Sequence, residues 1–222
     1  MKGGTVERIL RGGFIDFGDV CSFLRTAECH ERLARFTEPP KSAQEVKRIM
    51  SDVMGMFWRE LHRGSITDGE LRSILRSLLR LSEDRLPDSR YYEILNSIVE
   101  DLNEPMIRLI LRLRENGVRV CLVSDITKEF WRWINYKWPH FPSYFYQCFL
   151  SYKMRAAKSN GPEIFRRALL ESGLLGENTF FTDNLLNNLT HAREAGIEHI
   201  FLYTPQSQEE FERFLQRRGF LP

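Results

Sequence analysis

The second half of the sequence alternates between short apolar segments and the patterns of amphipathic helices. After residue 103 the apolar segments cover 118–123, 148–151, 179–182 and 199–203, and a helix pattern lies between each one and the next. Strands that are joined through helices run parallel in one sheet, and their crossovers are right-handed. The alternation therefore predicts an α/β fold with a doubly wound parallel sheet, in which the carboxyl ends of the strands share one edge.

A further short strand is predicted near the start of the chain, at Gly12–Asp16. It ends on an aspartate, and Gly18 breaks the pattern soon afterwards. An aspartate at the carboxyl end of a strand lies where ligands bind in open α/β sheets, and its carboxylate can attack phosphorus. A simpler interpretation is that Asp16 only caps a turn, and these residues taken alone favour that interpretation.

The stretch between the first strand and residue 103 has the punctuation of helices and no strand pattern. Capping residues mark three helix starts: Ser42 with Glu45, Thr67 with Glu70, and Asp88. We expect the third helix to carry an apolar face as far as Leu102. The sequence therefore predicts an α/β core at 1–20 and 103–222 and an α-helical insertion at 21–102.

The composition argues against several classes of function. A chain of 222 residues with a net charge of +2 has no excess of basic residues, so we expect no nucleic-acid partner. The apolar segments are too short to span a bilayer, and we expect no membrane partner. The four cysteines have no metal-binding spacing, which indicates reduced thiols and no zinc site. We expect a cytoplasmic monomer or homodimer.

Polar side chains at the predicted strand ends converge on one chemistry. Ser124 follows the strand at 118–123, Asp183 follows the strand at 179–182, and Lys158 lies in a loop between them. Two carboxylates, from Asp16 and Asp183, suit a hard cation such as Mg²⁺. A hydroxyl and an ammonium group suit the oxygens of a phosphoryl group.

Four sequence motifs, in order, resemble those of the haloacid dehalogenase-like (HAD) superfamily, which consists mostly of magnesium-dependent phosphatases. The motifs are 14–20 around Asp16, 122–125 around Ser124, 149–165 around Lys158 and 181–196 around Asp183. The insertion at 21–102 is similar to the helical cap of that superfamily. Within the superfamily, the chain looks most like the helical-cap branch that includes bacterial sugar-phosphate phosphatases and the phosphatase domain of some epoxide hydrolases.

The resemblance implies a role for each residue that matches a motif. It implies that Asp16 is the nucleophile, that an aspartyl-phosphate forms on it, and that Lys158 assists. Phosphate-binding roles fall on Ser124, Asp125 and Lys158. The implied cofactor is Mg²⁺, with ligands from Asp16, the backbone carbonyl of Gly18, and Asp183.

Three positions depart from the pattern of the superfamily. Gly18 replaces the usual second aspartate, which protonates the leaving group and then activates water, and Asn184 replaces a frequent second acid. Val20 stands where a threonine is usual. Asp19 and Asp125 are nearby candidates to substitute for the missing acid and base, although each is also explained as a solvated turn residue.

These residues lead to three hypotheses for function. The first is a hydrolase, a magnesium-dependent phosphomonoesterase that acts on a small phosphorylated metabolite and is slow because Gly18 lacks a carboxylate. The alternative is a non-catalytic relative that binds a phosphorylated ligand or a partner, which the three departures favour. A haloacid dehalogenase that uses Asp16 against carbon is the least favoured, because those relatives lack an acid at the position of Asp183.

Overall fold

A computed structural model describes residues 10–62 and 64–222 of the chain, without the side chains of Trp58 and His62. Residues 1–9 of the predicted core and Arg63 of the predicted insertion lie outside the described residues. The strands are β1 (Gly12–Ile15), β2 (Ser22–Leu24), β3 (Val99–Leu102), β4 (Arg119–Ser124), β5 (Cys148–Leu150), β6 (Thr179–Asp183) and β7 (His199–Leu202). The helices are α1 (Thr26–Ala34), α2 (Ala43–His62), α3 (Asp68–Leu79), α4 (Asp88–Asn96), α5 (Glu104–Glu115), α6 (Lys128–Lys137), α7 (Ser151–Met154), α8 (Glu163–Ser172), α9 (Leu186–Glu194) and α10 (Gln208–Arg217).

The predicted parallel sheet is confirmed. Among the described residues its strand order is β5-β4-β1-β6-β7, and every neighbouring pair runs parallel. Ile15 of β1 is aligned with Leu122 on one side and with Thr182 on the other, so β1 is the central strand. The carboxyl ends of β4, β1 and β6 therefore lie side by side, at the edge where the sequence predicts the site.

Helices cover both faces of this sheet because its central strands are apolar on both sides. Phe14 and Ile15 are consecutive in β1 and point to opposite faces, and both are fully buried. Ile15 belongs to the apolar cluster that includes α5 and α10, whereas Phe14 belongs to the cluster that includes α8 and α9. Each large apolar side chain buried in this way contributes about 1.5–3 kcal/mol to folding.

The predicted insertion contains helices α1 to α4, which build a separate apolar cluster around Leu33, Val46 and Tyr91. Both predicted capping boxes are present: Glu45 N donates to Ser42 Oγ at 3.2 Å, and Glu70 N donates to Thr67 Oγ1 at 3.2 Å. The third predicted helix begins at Asp88 as expected. None of the helices in the described ranges is long and apolar enough to cross a membrane.

The expectation that the insertion lacks strands was wrong. β2 and β3 pair antiparallel, with Ser22 opposite Leu102, and so form a two-stranded neck where the chain leaves the sheet and returns to it. Helix α4 ends at Asn96, so Val99 and Leu102 belong to β3 and not to a helical face. Their spacing is compatible with a helix period, which misled the prediction. Helix α1 was not predicted. The division into core and cap stays a prediction.

Two glycines of β1 leave room for bulky side chains from the neighbouring elements. A Cβ atom at Gly13 would lie 2.1 Å from Phe180 Cζ, and one at Gly12 would lie 2.2 Å from Leu174 Cδ1. Phe180 is fully buried and Leu174 nearly so, which leaves little space for either to move aside. The glycines that precede the apolar strand residues are therefore required by packing.

We predict that Gly13→Ala lowers the free energy of unfolding by about 1–3 kcal/mol, because overpacking displaces the Phe180 ring from its place in the core. Gly55→Ala is the matched control, since nothing lies within 4 Å of the Cβ position in that exposed helical residue. The control should be neutral or slightly stabilising. Urea denaturation of both variants measures the difference, and equal stabilities would contradict this account of the strand.

Candidate active site

Three polar residues lie at the carboxyl ends of adjacent strands. Asp16 is the first residue after β1, and its backbone N–H continues the sheet by donating to Thr182 O at 3.1 Å. Ser124 and Asp183 are the last residues of β4 and β6. All three are buried, although their side chains are polar. The strand register thus brings together three of the residues predicted from the sequence.

Lys158 connects the two carboxylates of this edge. Its Nζ atom lies 2.5 Å from Asp16 Oδ1 and 2.6 Å from Asp183 Oδ2, and the whole residue is 1% exposed. Burial acts to lower the pKa of Lys158, but Coulombic attraction from Asp16 and Asp183 outweighs it and raises the pKa above its ordinary value. The ammonium group is therefore a permanent positive charge at the centre of the site.

A single ammonium group does not neutralise two buried carboxylates. Burial raises the pKa of Asp16 to about 7, Lys158 opposes this shift, and the nearby charge of Asp183 adds to it. The Asp16 carboxylate also accepts a hydrogen bond from the backbone of Phe17, which stabilises the ionised form. The site carries an excess of negative charge that a further cation would offset.

The loop that carries Lys158 is held from two sides. Asp125 Oδ1 accepts from Lys158 N at 2.7 Å, and Asp125 Oδ2 accepts from Ser159 N at 3.1 Å. On the other side, His191 Nδ1 lies 2.7 Å from the carbonyl oxygen of Lys158. Sequence reasoning gave His191 no role, because no ligand spacing marks it and only the fold brings α9 to this loop.

Asp183 is fixed by donors other than Lys158. Its Oδ1 accepts from Leu185 N at 2.8 Å, and its Oδ2 accepts from Asn188 Nδ2 at 2.9 Å. Asn188 is 3% exposed, and its Oδ1 has no hydrogen-bond partner among the described residues. A buried amide oxygen without a donor is costly, so a cation or its water at this position would stabilise the site.

These oxygens fit a hard cation such as Mg²⁺. In the described part of the chain no three His, Cys, Asp or Glu side chains are grouped to hold a metal by themselves. A site here would therefore combine the carboxylates of Asp16 and Asp183 with neutral oxygens, including the carbonyl of Gly18. Mg²⁺ accepts such a set because it retains several of its waters.

A cavity of about 190 Å³ opens over this edge and is lined by both polar and apolar residues. The described residues that line it are Asp16, Phe17, Gly18, Leu24, Ser124, Asp125, Ile126, Phe130, Lys158, Ser159, Asn184, Leu185 and Asn188. A Cβ atom at Gly18 would lie 3.1 Å from Leu24 Cδ1. The side chain of Leu24, in the neck, thus lies against position 18.

The two candidates for the missing acid are hydrogen-bond acceptors in this structure. Asp19 Oδ1 accepts from Leu24 N at 3.0 Å, and Asp19 does not line the cavity. Asp125 lines the cavity, but its two oxygens accept from the Lys158 loop. A general acid must offer a proton to the leaving group. That Asp19 or Asp125 takes over the role of the missing acid stays a prediction.

The insertion touches the core beside the site. Asp68 begins α3 and lies close to Thr127 and Glu129, at the start of α6. Burial raises the pKa of Asp68, although the nearby Thr127 side chain opposes this. The residues between 124 and 127 connect this contact to Ser124, so the insertion is joined to the loop that lines the cavity.

Comparisons with solved structures find the same architecture in enzymes of one family. A HAD family enzyme from Bacteroides thetaiotaomicron, crystallised as a complex with magnesium and inorganic phosphate, is 27% identical, with a TM-score of 0.72 over 88% of this chain and 93% of that one. A predicted HAD-like family hydrolase from Porphyromonas gingivalis is 20% identical, with a TM-score of 0.74 over 94% and 99% of the two chains. No family model and no curated protein matches the sequence.

We predict that Asp16→Asn stabilises the protein in the presence of a chelator. Because the pKa of Asp16 is raised from 3.8 to about 7 on folding, the folded state keeps a proton that the unfolded state has released in that range. Raising the pH through this window therefore lowers the stability of the wild type, and asparagine does not titrate. The advantage of the variant should grow by about 2–3 kcal/mol between pH 5 and pH 8.

Asp183→Asn provides the contrast, since both oxygens of Asp183 accept hydrogen bonds from buried or backbone donors. An amide supplies one oxygen in place of two, so this variant should be less stable than the wild type at both pH values. Urea denaturation in EDTA measures all three proteins. A variant at Asp16 that is less stable than the wild type at pH 8 would contradict the charge imbalance described above.

Proposed function

We propose that this member of the haloacid dehalogenase-like superfamily is a magnesium-dependent phosphomonoesterase that acts on a small phosphorylated metabolite. The observation that carries the proposal is the position of Lys158, whose buried ammonium group holds Asp16 and Asp183 together beside the cavity. Such an arrangement suits a phosphoryl group, because the lysine neutralises both the nucleophile and the phosphoryl oxygens. The magnesium and phosphate bound to the Bacteroides enzyme are consistent with it.

In the proposed mechanism the carboxylate of Asp16 attacks phosphorus as the bond between phosphorus and the ester oxygen breaks. The phosphoryl group is transferred to Asp16, and the leaving alcohol takes its proton from solvent. Water then attacks the aspartyl-phosphate, which releases inorganic phosphate and regenerates the carboxylate. Ser124 and the ammonium group of Lys158 hold the phosphoryl oxygens in both steps.

Asp16, the carbonyl of Gly18 and Asp183 would hold Mg²⁺, which when bound offsets the negative charge of the phosphoryl oxygens. Asn188 and Lys158 keep Asp183 in place for this contact. Asp125 and His191 keep Lys158 in place through its backbone. We assign Asp125 this holding role as part of the proposal, in addition to its predicted place near the phosphate.

We further propose that residues 21–102 act as a cap over a core formed by 1–20 and 103–222. The contact of Asp68 with Thr127 supports this division, because it ties the insertion to the rim of the cavity. The cytoplasmic location and the monomeric or homodimeric state expected from the sequence belong to the same proposal. The free thiols of all four cysteines are consistent with a reducing compartment.

A screen of phosphorylated metabolites, run with Mg²⁺ and with a chelator, tests the proposed function. We expect turnover that requires Mg²⁺ and is lost in Asp16→Asn, because the amide is not a nucleophile. Beryllium fluoride, which mimics a phosphoryl group, should form an adduct with the wild type and not with this variant. If neither turnover nor an adduct is found, the non-catalytic binding protein becomes the preferred function, as Gly18, Val20 and Asn184 already suggest.

Because position 18 carries no carboxylate, we expect the rate of phosphoryl transfer to depend strongly on whether the leaving group needs a proton to depart. A positioned general acid contributes about 10²–10⁴-fold. Leaving groups that depart without a proton, such as nitrophenol, should therefore be far better than an alkyl alcohol. The apolar residues that line the cavity, Phe17, Leu24, Ile126 and Phe130, also favour an aromatic leaving group.

We predict that Gly18→Asp raises kcat on an alkyl phosphate by about 10–100-fold and changes kcat on nitrophenyl phosphate much less. Gly18 is not in the left-handed region, and the contact of its Cβ would be with the flexible end of Leu24. Gly18→Asn is the matched control, since it has the same size and no acid. An equal effect of both variants on both substrates would show that the acid is not what position 18 lacks.

A further inference from the structure

Asp19 has an unusual backbone conformation beside the candidate cation site. Its φ angle is +55°, in the left-handed region that non-glycine residues rarely adopt and that aspartate and asparagine tolerate best. Its Oδ1 accepts from Leu24 N at 3.0 Å, and its Oδ2 lies 3.4 Å from Asn184 Nδ2. The side chain therefore joins the loop after β1 to the residue that follows Asp183.

The contact with Asp19 sets the orientation of the Asn184 amide. Asn184 lines the cavity, and its Nδ2 is turned to the Asp19 carboxylate. The other end of the same amide, Oδ1, is thereby turned away from Asp19, because the two atoms are on opposite branches of one planar group. An oxygen held in this way is a ligand that a hard cation accepts.

A second amide in the cavity is arranged in the same manner. Asn188 donates its Nδ2 to Asp183, is 3% exposed, and leaves a buried Oδ1 that no donor in the described residues satisfies. Each asparagine is thus oriented by a carboxylate: Asn184 by Asp19 and Asn188 by Asp183. The unsatisfied oxygen of Asn188 is independent support for a cation or its water in this part of the cavity.

We propose that Asp19 is a positioning residue for the cation, which it serves through Asn184. The carboxylate that position 184 lacks is supplied by Asp19, which contacts the Asn184 amide nitrogen at 3.4 Å, so a negative charge is kept behind the amide while the oxygen offered to the cation is neutral. This inference rests on the proposed function, because it concerns the cation that the phosphatase would use. Removal of such a supporting partner typically weakens metal binding about 10–100-fold.

Mg²⁺ affinity, followed by thermal-shift titration of the full chain with MgCl₂, tests the inference without an assay of turnover. Asp19→Asn is a suitable variant because asparagine tolerates the positive φ and keeps an Oδ1 acceptor for Leu24 N. Its Nδ2 would face the Nδ2 of Asn184, so the amide would lose its acceptor. We expect the apparent dissociation constant for Mg²⁺ to rise about 10-fold.

The exchange of the two residues supplies the decisive comparison. In the double variant Asp19→Asn with Asn184→Asp, the amide at 19 again faces a carboxylate at 184, and we expect Mg²⁺ affinity within about 3-fold of the wild type. Asp84→Asn is the control for removal of one charge, because Asp84 is exposed on the insertion. It should leave the affinity unchanged.

The outcomes separate the inference from the proposed function. If the wild type binds Mg²⁺ and Asp19→Asn binds it equally well, the inference is overturned and the phosphatase proposal stands. A lower free energy of unfolding with unchanged Mg²⁺ affinity gives Asp19 a purely structural role and overturns it as well. Failure of the exchanged pair to restore affinity overturns the pairing with Asn184. If the wild type binds no Mg²⁺, both proposals fall.

Discussion

The structure of the site depends on one buried lysine between two carboxylates. Removing three charged groups from water is expensive, and the Coulombic attraction between them compensates only if the geometry is kept close. The contacts of Lys158 with Asp16 and Asp183 meet that condition at 2.5 and 2.6 Å. The two carboxylates lie at the ends of neighbouring strands, so the register of β1 with β6 fixes the distance between them. The lysine comes from a loop and needs further support, which Asp125 and His191 give to its backbone.

The same triad leaves the site with too much negative charge for its own stability. Burial and the second carboxylate raise the pKa of Asp16 to about 7, and the amide oxygen of Asn188 is left without a donor among the described residues. A protein selected only for stability would have no reason to keep either feature. Active sites commonly retain such unfavourable groups, since the missing partner is supplied by the ligand. The imbalance at Asp16 and Asn188 is thus physical support for a bound cation.

The features of this protein that could be predicted from its sequence are those that a local pattern of apolar and polar residues determines. Asp16, Ser124 and Asp183 follow apolar segments of strand length, and because parallel strands share a carboxyl edge, the amino-acid sequence alone is enough to place them together. The residues that hold the site were not predictable in the same way. His191 and the orientation of Asn184 depend on contacts between elements far apart in the sequence. The neck strands β2 and β3 were missed because three or four residues are too few to show a period, and because the apolar positions near residue 99 also fit a helix.

The neck has a larger influence on chemistry than its length suggests. Leu24 is the last residue of β2, and its side chain lies where a Cβ at Gly18 would come into contact, while its backbone N–H is held by Asp19. Gly18, Leu24 and Asp19 are therefore connected by direct contacts within seven residues, 18–24. A change at any one of them alters the shape or the charge of the cavity at the others. Gly18 and Asp19 thus act on the cavity together: Gly18 leaves room for the side chain of Leu24, and Asp19 accepts from the Leu24 backbone and contacts Asn184.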